Sequence, residues 1–112
     1  MRKVEKPWGY EIIWAETENY VGKVLVIEAG KRLSKQYHNL KEETVYVLEG
    51  VLLNYVDEDN VEKYCVGSSL HIKPGQVHRF GALHDRYVKV VEVSTNHLDD
   101  VVRLEDDFNR CV

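Results

Sequence analysis

Along the chain, β-branched and aromatic residues gather in short runs that turn signals interrupt. Residues Tyr10–Trp14 (YEIIW) predict one strand. Gly22–Gly30 (GKVLVIEAG) is almost continuously apolar, which predicts a strand covered on both faces. The runs RLSKQYH and ETVYVLEG follow, with NLKE between them as a turn. Val51–Val56 and Val61–Val66 flank Asp57–Asn60, a polar loop of the kind that closes a hairpin. SLHI, VHRFGA and RYVKVVEV complete the series. Roughly nine short, closely spaced strands predict an all-β sandwich or barrel. The exception is His97–Phe108, where Leu98, Val101, Val102 and Phe108 trace a weak helical stripe. That segment is expected to be either a short helix or an irregular docked tail.

Length and composition narrow the picture. The 112 residues suffice for one domain with a modest core, so residues 1–112 are read as a single unit. The formal net charge of −4 argues against a nucleic-acid binder. Cys65 and Cys111 match no zinc-ribbon or redox spacing and are read as free thiols in a reducing compartment. The N-terminal positive charge is followed by no apolar run, and no stretch is long enough to span a membrane. The expectation is a cytoplasmic protein.

Chemistry concentrates in Lys35–Gly50, KQYHNLKEETVYVLEG. Residues two apart in a strand share a face, so Gln36 and His38 point together. The returning strand brings Glu43 beside them at the end of an apolar row with Val45 and Val47. A carboxylate there needs a partner, and a divalent metal is a natural one. His78, after the turn at Pro74 and Gly75, is the candidate fourth ligand. The plain alternative is a metal-free polar pocket bonded to water.

These residues resemble the two motifs of the cupin superfamily. Gly30, Gln36, His38, Glu43 and Gly50 keep the register of the first motif, with glutamine in its first histidine position. Gly67, Gly75 and His78 keep that of the second, with Lys73 in its proline position. KPWGYE, GKRLSKQYH and the tail EVSTNHLDDVVRLEDDFNR are similar to the cupin domain of type II mannose-6-phosphate isomerases. The resemblance implies a cupin double-stranded β-helix, a jelly-roll barrel, ending in the short irregular or helical tail. It implies a divalent metal, zinc or manganese first and iron or nickel after them, held by Gln36, His38, Glu43 and His78. A carboxamide oxygen is a hard neutral donor that suits zinc or manganese. Cupins also dimerise, and an open jelly roll has edges to cover, so a homodimer is expected. The chain departs from the isomerase pattern at Asn39, Leu40, Lys41, Thr44 and Val45.

Three further residues are candidate catalytic groups. Arg32 lies four positions before Gln36 and is expected on the same face, where it would hold a phosphate. Its alternative is a surface ion pair. Glu92 shares a face with Val88 and Val90 and is a candidate general base; its alternative is a structural pair with an arginine such as Arg103. His71 is a candidate proton shuttle, or faces solvent. The function expected is a sugar-phosphate isomerase working through an enediol on a small-molecule substrate. A non-catalytic sugar-binding cupin and a metal-dependent oxygenase are the alternatives. Neither nucleic acid nor membrane is an expected partner.

Overall fold

The computed structural model describes residues 1–110, so Cys111 lies outside the described residues. Eleven strands make up the architecture. They are β1 (Arg2–Lys6), β2 (Gly9–Glu16), β3 (Val21–Ile27), β4 (Lys35–Tyr37), β5 (Glu43–Glu49) and β6 (Leu52–Tyr55), followed by β7 (Val61–Tyr64), β8 (Ser69–Ile72), β9 (Phe80–Ala82), β10 (Val88–Ser94) and β11 (Val102–Glu105). One layer is a six-stranded sheet in the order β1-β2-β3-β10-β5-β8. Facing it are the three-stranded sheet β7-β6-β9 and the pair β11-β4, joined by backbone bridges from Arg32 to Gly81 and from Gln36 to His78. Every strand pairing is antiparallel. The result is the double-stranded β-helix.

Strand alternation builds the interior. On β10, Val88, Val90, Glu92 and Ser94 point inward; on β5, Glu43, Val45 and Val47 do. Val90 stands opposite both Leu25 and Val47, while Glu92 stands opposite Lys23 and Val45. The inner face therefore grades along the strands from an apolar end to a polar one. Trp8, Leu25, Ile27, Leu52, Ile72 and Phe80 fill the apolar end. Fully burying each such side chain contributes about 1.5–3 kcal/mol, and this layer fixes the polar groups above it.

Two glycines are obligatory. A Cβ at Gly9 (φ +151°) would lie 2.0 Å from the Val26 carbonyl oxygen, and one at Gly50 (φ +80°) would lie 2.4 Å from that of Tyr87. Both turns admit only glycine. The hairpin expected around Asp57–Asn60 is present between β6 and β7. The expected strand RLSKQYH shrinks to β4, preceded by a single bridge at Arg32. Of the two expectations for His97–Phe108, the helix is absent. The segment is irregular except for β11, which pairs with β4, because Val102 and Arg103 are used in strand register rather than as a helical stripe.

Candidate functional site

The polar end of the interior holds a cavity of about 80 Å³. Gln36, His38, Glu43, Lys41, Glu92 and Arg103 are among the residues that line it. Ligand atoms of His38, Glu43 and His78 lie within 4.8 Å of one another, and all three residues are buried. The strand arrangement that brings them together is simple. Glu43 opens β5, His38 ends the run that begins with β4, and His78 is bridged to Gln36 by two backbone hydrogen bonds of 3.0 and 2.9 Å. Gln36 lines the same cavity, and its Oε1 accepts a hydrogen bond from Ser34 Oγ at 2.9 Å.

Both imidazoles are oriented from behind. His38 Nδ1 donates to the Asp100 carbonyl and His78 Nδ1 to the Gln76 carbonyl, the latter at 3.1 Å. A neutral ring that donates through Nδ1 presents a bare lone pair at Nε2. Each Nε2 is buried without a hydrogen-bond partner. His78 Nε2 lies 3.3 Å from Glu43 Oε1, so two acceptors face each other unless a cation or proton lies between them. Burial, against the Asp100 contact and helped by the charge of Lys41, pulls the His38 pKa down and so favours the neutral ring, the form a metal requires. This donor set of two imidazole nitrogens, a carboxylate and a carboxamide fits a divalent ion of the zinc or manganese kind.

Lys41 is the residue that sequence reading passed over. It is 6 % exposed, and its Nζ lies 2.9 Å from Glu43 Oε2 and 3.3 Å from Glu92 Oε2. Burial opposes its charge, but Glu92 and Glu43 outweigh burial and raise its pKa. Glu43 is held low: burial opposes ionisation, and contacts with His78 and Lys41 overcome it. Glu92 moves the other way, pushed up to about 8 by burial and then by the Glu43 charge, against the pull of Lys41 and Lys23. Its Oε2 makes no hydrogen bond. A sequence signal for Lys41 existed only as its departure from the isomerase pattern. Lys23 was more legible, because it shares the inner face of β3 with Val21, Leu25 and Ile27.

The structure brings Gln36, His38, Glu43, His78 and Glu92 together and leaves two expected residues elsewhere. Arg32 does not share the Gln36 cavity. Its guanidinium binds the Asp107 carboxylate through Nε at 2.6 Å and a terminal nitrogen at 3.0 Å, beside the Tyr55 ring. The parity argument fails because the chain is not a continuous strand from Arg32 to Gln36. His71 is exposed on the outer face of β8 and pairs with Glu42. Glu92 pairs with Lys41 rather than with Arg103, which makes no ion pair among the described residues.

The comparisons with known proteins agree with this geometry. No curated protein matches the chain. Among solved structures, a cupin-like protein from Thermotoga maritima is similar at TM-score 0.76 and 20 % identity, over 87 % of this chain and 76 % of that one. A sugar phosphate isomerase of the cupin superfamily from Silicibacter pomeroyi is similar at TM-score 0.69 and 20 % identity, over 78 % of this chain and 59 % of the other. The polyketide cyclase RemF from Streptomyces resistomycificus is similar at TM-score 0.76 and 17 % identity, over 85 % of this chain and 70 % of that one. Likeness at this level establishes the fold and leaves the chemistry open. The family known as mannose-6-phosphate isomerase C-terminal matches residues 1–106, nearly the whole chain, and the chain belongs to that family.

Proposed function

We propose that the protein is a metal-binding cupin that interconverts an aldose phosphate and its ketose isomer. The observation that carries this reading is the pair of buried, backbone-oriented imidazoles whose free Nε2 atoms converge on Glu43 beside an unsaturated Glu92 carboxylate. His38, Glu43, His78 and Gln36 would hold a divalent cation, which when bound supplies Lewis-acid polarisation of the substrate carbonyl and neighbouring hydroxyl. Glu92 is the base in this reading. In its ionised form, which grows as pH rises toward about 8, its Oε2 takes the proton from the hydroxyl-bearing carbon next to the carbonyl and later returns it to the former carbonyl carbon, while the proton of the neighbouring hydroxyl passes to the carbonyl oxygen through the enediol. Lys41 pairs with both Glu92 and Glu43. A solved cupin described as a sugar phosphate isomerase, together with the family match, supports the choice of substrate class.

The cavity is well below the ~300 Å³ at which pockets for drug-sized ligands begin. Leu98 and Val101 line it from the C-terminal segment. Turnover of hexose phosphates by the metal-loaded protein, set against a His78→Ala control, tests the proposal. Equal rates in the two would end it.

A non-catalytic sugar-binding cupin is the second reading. Its support is that the Lys41 ammonium is paired with Glu43, the carboxylate a metal needs. Saturable thermal stabilisation by sugars without turnover is its signature. Whichever reading holds, we also propose a homodimer. The outer face of the six-stranded sheet exposes Trp14, Tyr46, Leu48 and Val93, and light scattering on the eluting protein gives the mass directly.

A further inference from the structure

Among the described residues, Arg103 is the cation of the cavity that makes no ion pair. It lies on β11, directly across from Gln36 on β4, and opposed residues of an antiparallel pair project to the same face. Both side chains line the cavity. Arg103 Nε is shut off from solvent without a hydrogen-bond partner, although arginines elsewhere in the tail region are satisfied. Arg32 and Arg79 share Asp107, Arg79 also binds Glu105 and the Leu33 carbonyl, and Arg110 binds Asp106. A buried guanidinium N–H left open in this way calls for an acceptor that the described residues do not supply.

Two lysines stand in the same cavity wall. Lys23 Nζ is 3.3 Å and Lys6 Nζ 4.0 Å from Glu11 Oε1, so one carboxylate serves both ammonium groups. Burial first, and then repulsion by Lys23, Arg110 and Arg103, pulls the Lys6 pKa down in spite of Glu11. The remaining carboxylates of the cavity, Glu43 and Glu92, are engaged by Lys41. Around Arg103, Lys6 and Lys23 there is thus an excess of two positive charges over Glu11. A phosphate monoester carries about −1.5 to −2 near pH 7, together with acceptor oxygens that suit a guanidinium.

We propose that Arg103, assisted by Lys6 and Lys23, binds the phosphate group of the ligand, one cross-strand position from Gln36. That the ligand is a sugar phosphate rests on the function proposed above; the oxyanion site itself rests on the side chains just described. It also relocates the phosphate contact from Arg32, which Asp107 occupies, to the C-terminal strand.

Calorimetric titration of inorganic phosphate into the purified protein tests the site, with Arg103→Gln, Arg103→Lys and, as a control, a change of the exposed β7 lysine, Lys63→Gln, run in parallel. Arg103→Gln is expected to weaken phosphate binding about tenfold or more, the value of a lost charge-assisted hydrogen bond. Arg103→Lys should fall between it and the unaltered protein, and Lys63→Gln should bind phosphate almost normally. Should Arg103→Gln fail to fold, the Nε–Hε NMR signal of Arg103 in the unaltered protein decides, since it must shift saturably with phosphate. Undiminished binding by Arg103→Gln, or an Arg103 signal that phosphate leaves in place, overturns the site while leaving the isomerase proposal standing. Arg103-dependent phosphate binding without turnover of any hexose phosphate does the reverse.

Discussion

At the scale of single residues, the site is defined by which charges are shared. Lys41 pairs with two carboxylates in a dry interior, and breaking a buried pair of this kind costs about 3–5 kcal/mol because the partner charge is left uncompensated. Lys41→Met is therefore expected to lower Tm of the metal-free protein by roughly 10–20 °C. Added zinc or manganese should recover much of that loss, because a cation held by Glu43 and the histidines restores the positive charge that Lys41 supplied. Thermal unfolding with and without metal measures both effects, and an unchanged Tm would mean that Lys41 compensates nothing. Metal content gives a second residue-scale measurement. The His38→Ala, His78→Ala double variant removes both oriented nitrogen donors and should lose its bound metal by elemental analysis. Gln36→Ala removes only a weak neutral donor, already engaged by Ser34, and should weaken affinity without abolishing it.

The elements explain how those residues are held. The C-terminal segment is tied across the barrel by carboxylates rather than by a large apolar face. Asp100 accepts hydrogen bonds from the backbone N–H groups of Asn39, Leu40 and Lys41, at 3.1, 2.7 and 3.0 Å, and so shapes the turn between His38 and Glu43. Asp107 takes Arg32 and Arg79 together. The Arg32 contact, opposed by partial burial and helped by Arg79, holds the Asp107 pKa below the ordinary carboxylate value. A group whose folded pKa is depressed contributes stability that is complete above its unfolded pKa and is lost as pH falls through the folded one. Docking of β11 should accordingly survive to about pH 4 and weaken below it. Hydrogen exchange at the β11 amides, followed as pH is lowered, checks this. Release already near pH 6 would show that Asp107 is not the tie. Asp107→Asn should loosen the same amides at neutral pH, since the amide cannot match the charged fork of Arg32.

Across the whole molecule, the two-layer barrel supplies a rigid apolar floor beneath the polar cavity. Phe80 is 1 % exposed, and its ring lies 5.1 Å from that of His78, centroid to centroid, so it both fills the core and backs a metal-ligand candidate. Phe80→Ala should cost about 3–5 kcal/mol in denaturant unfolding. It should also lower metal affinity, as His78 gains room to rotate. Loss of stability with metal affinity intact would separate the floor from the site.

The strands, their alternation, the β6–β7 hairpin and the grouping of Gln36, His38, Glu43 and His78 were legible from the chain, because each rests on short-range rules: period two, turn chemistry and motif spacing. Glu92 was legible too, from its place in an apolar row with Val88 and Val90. Arg32 and His71 were misplaced for a different reason. Local parity says which residues share a face only while the strand is regular, and it says nothing of which face meets the cavity. Lys41, Asp100 and Arg103 become part of the site through contacts spanning roughly fifty to seventy positions, from Lys41 to Glu92, from His38 to Asp100 and from Gln36 to Arg103. The sequence by itself determined the barrel and the candidate metal-ligand residues. Tertiary structure alone decided which cations enter the cavity and which are spent on the tail, because charge pairing in a dry interior depends on proximity in space rather than on order along the chain.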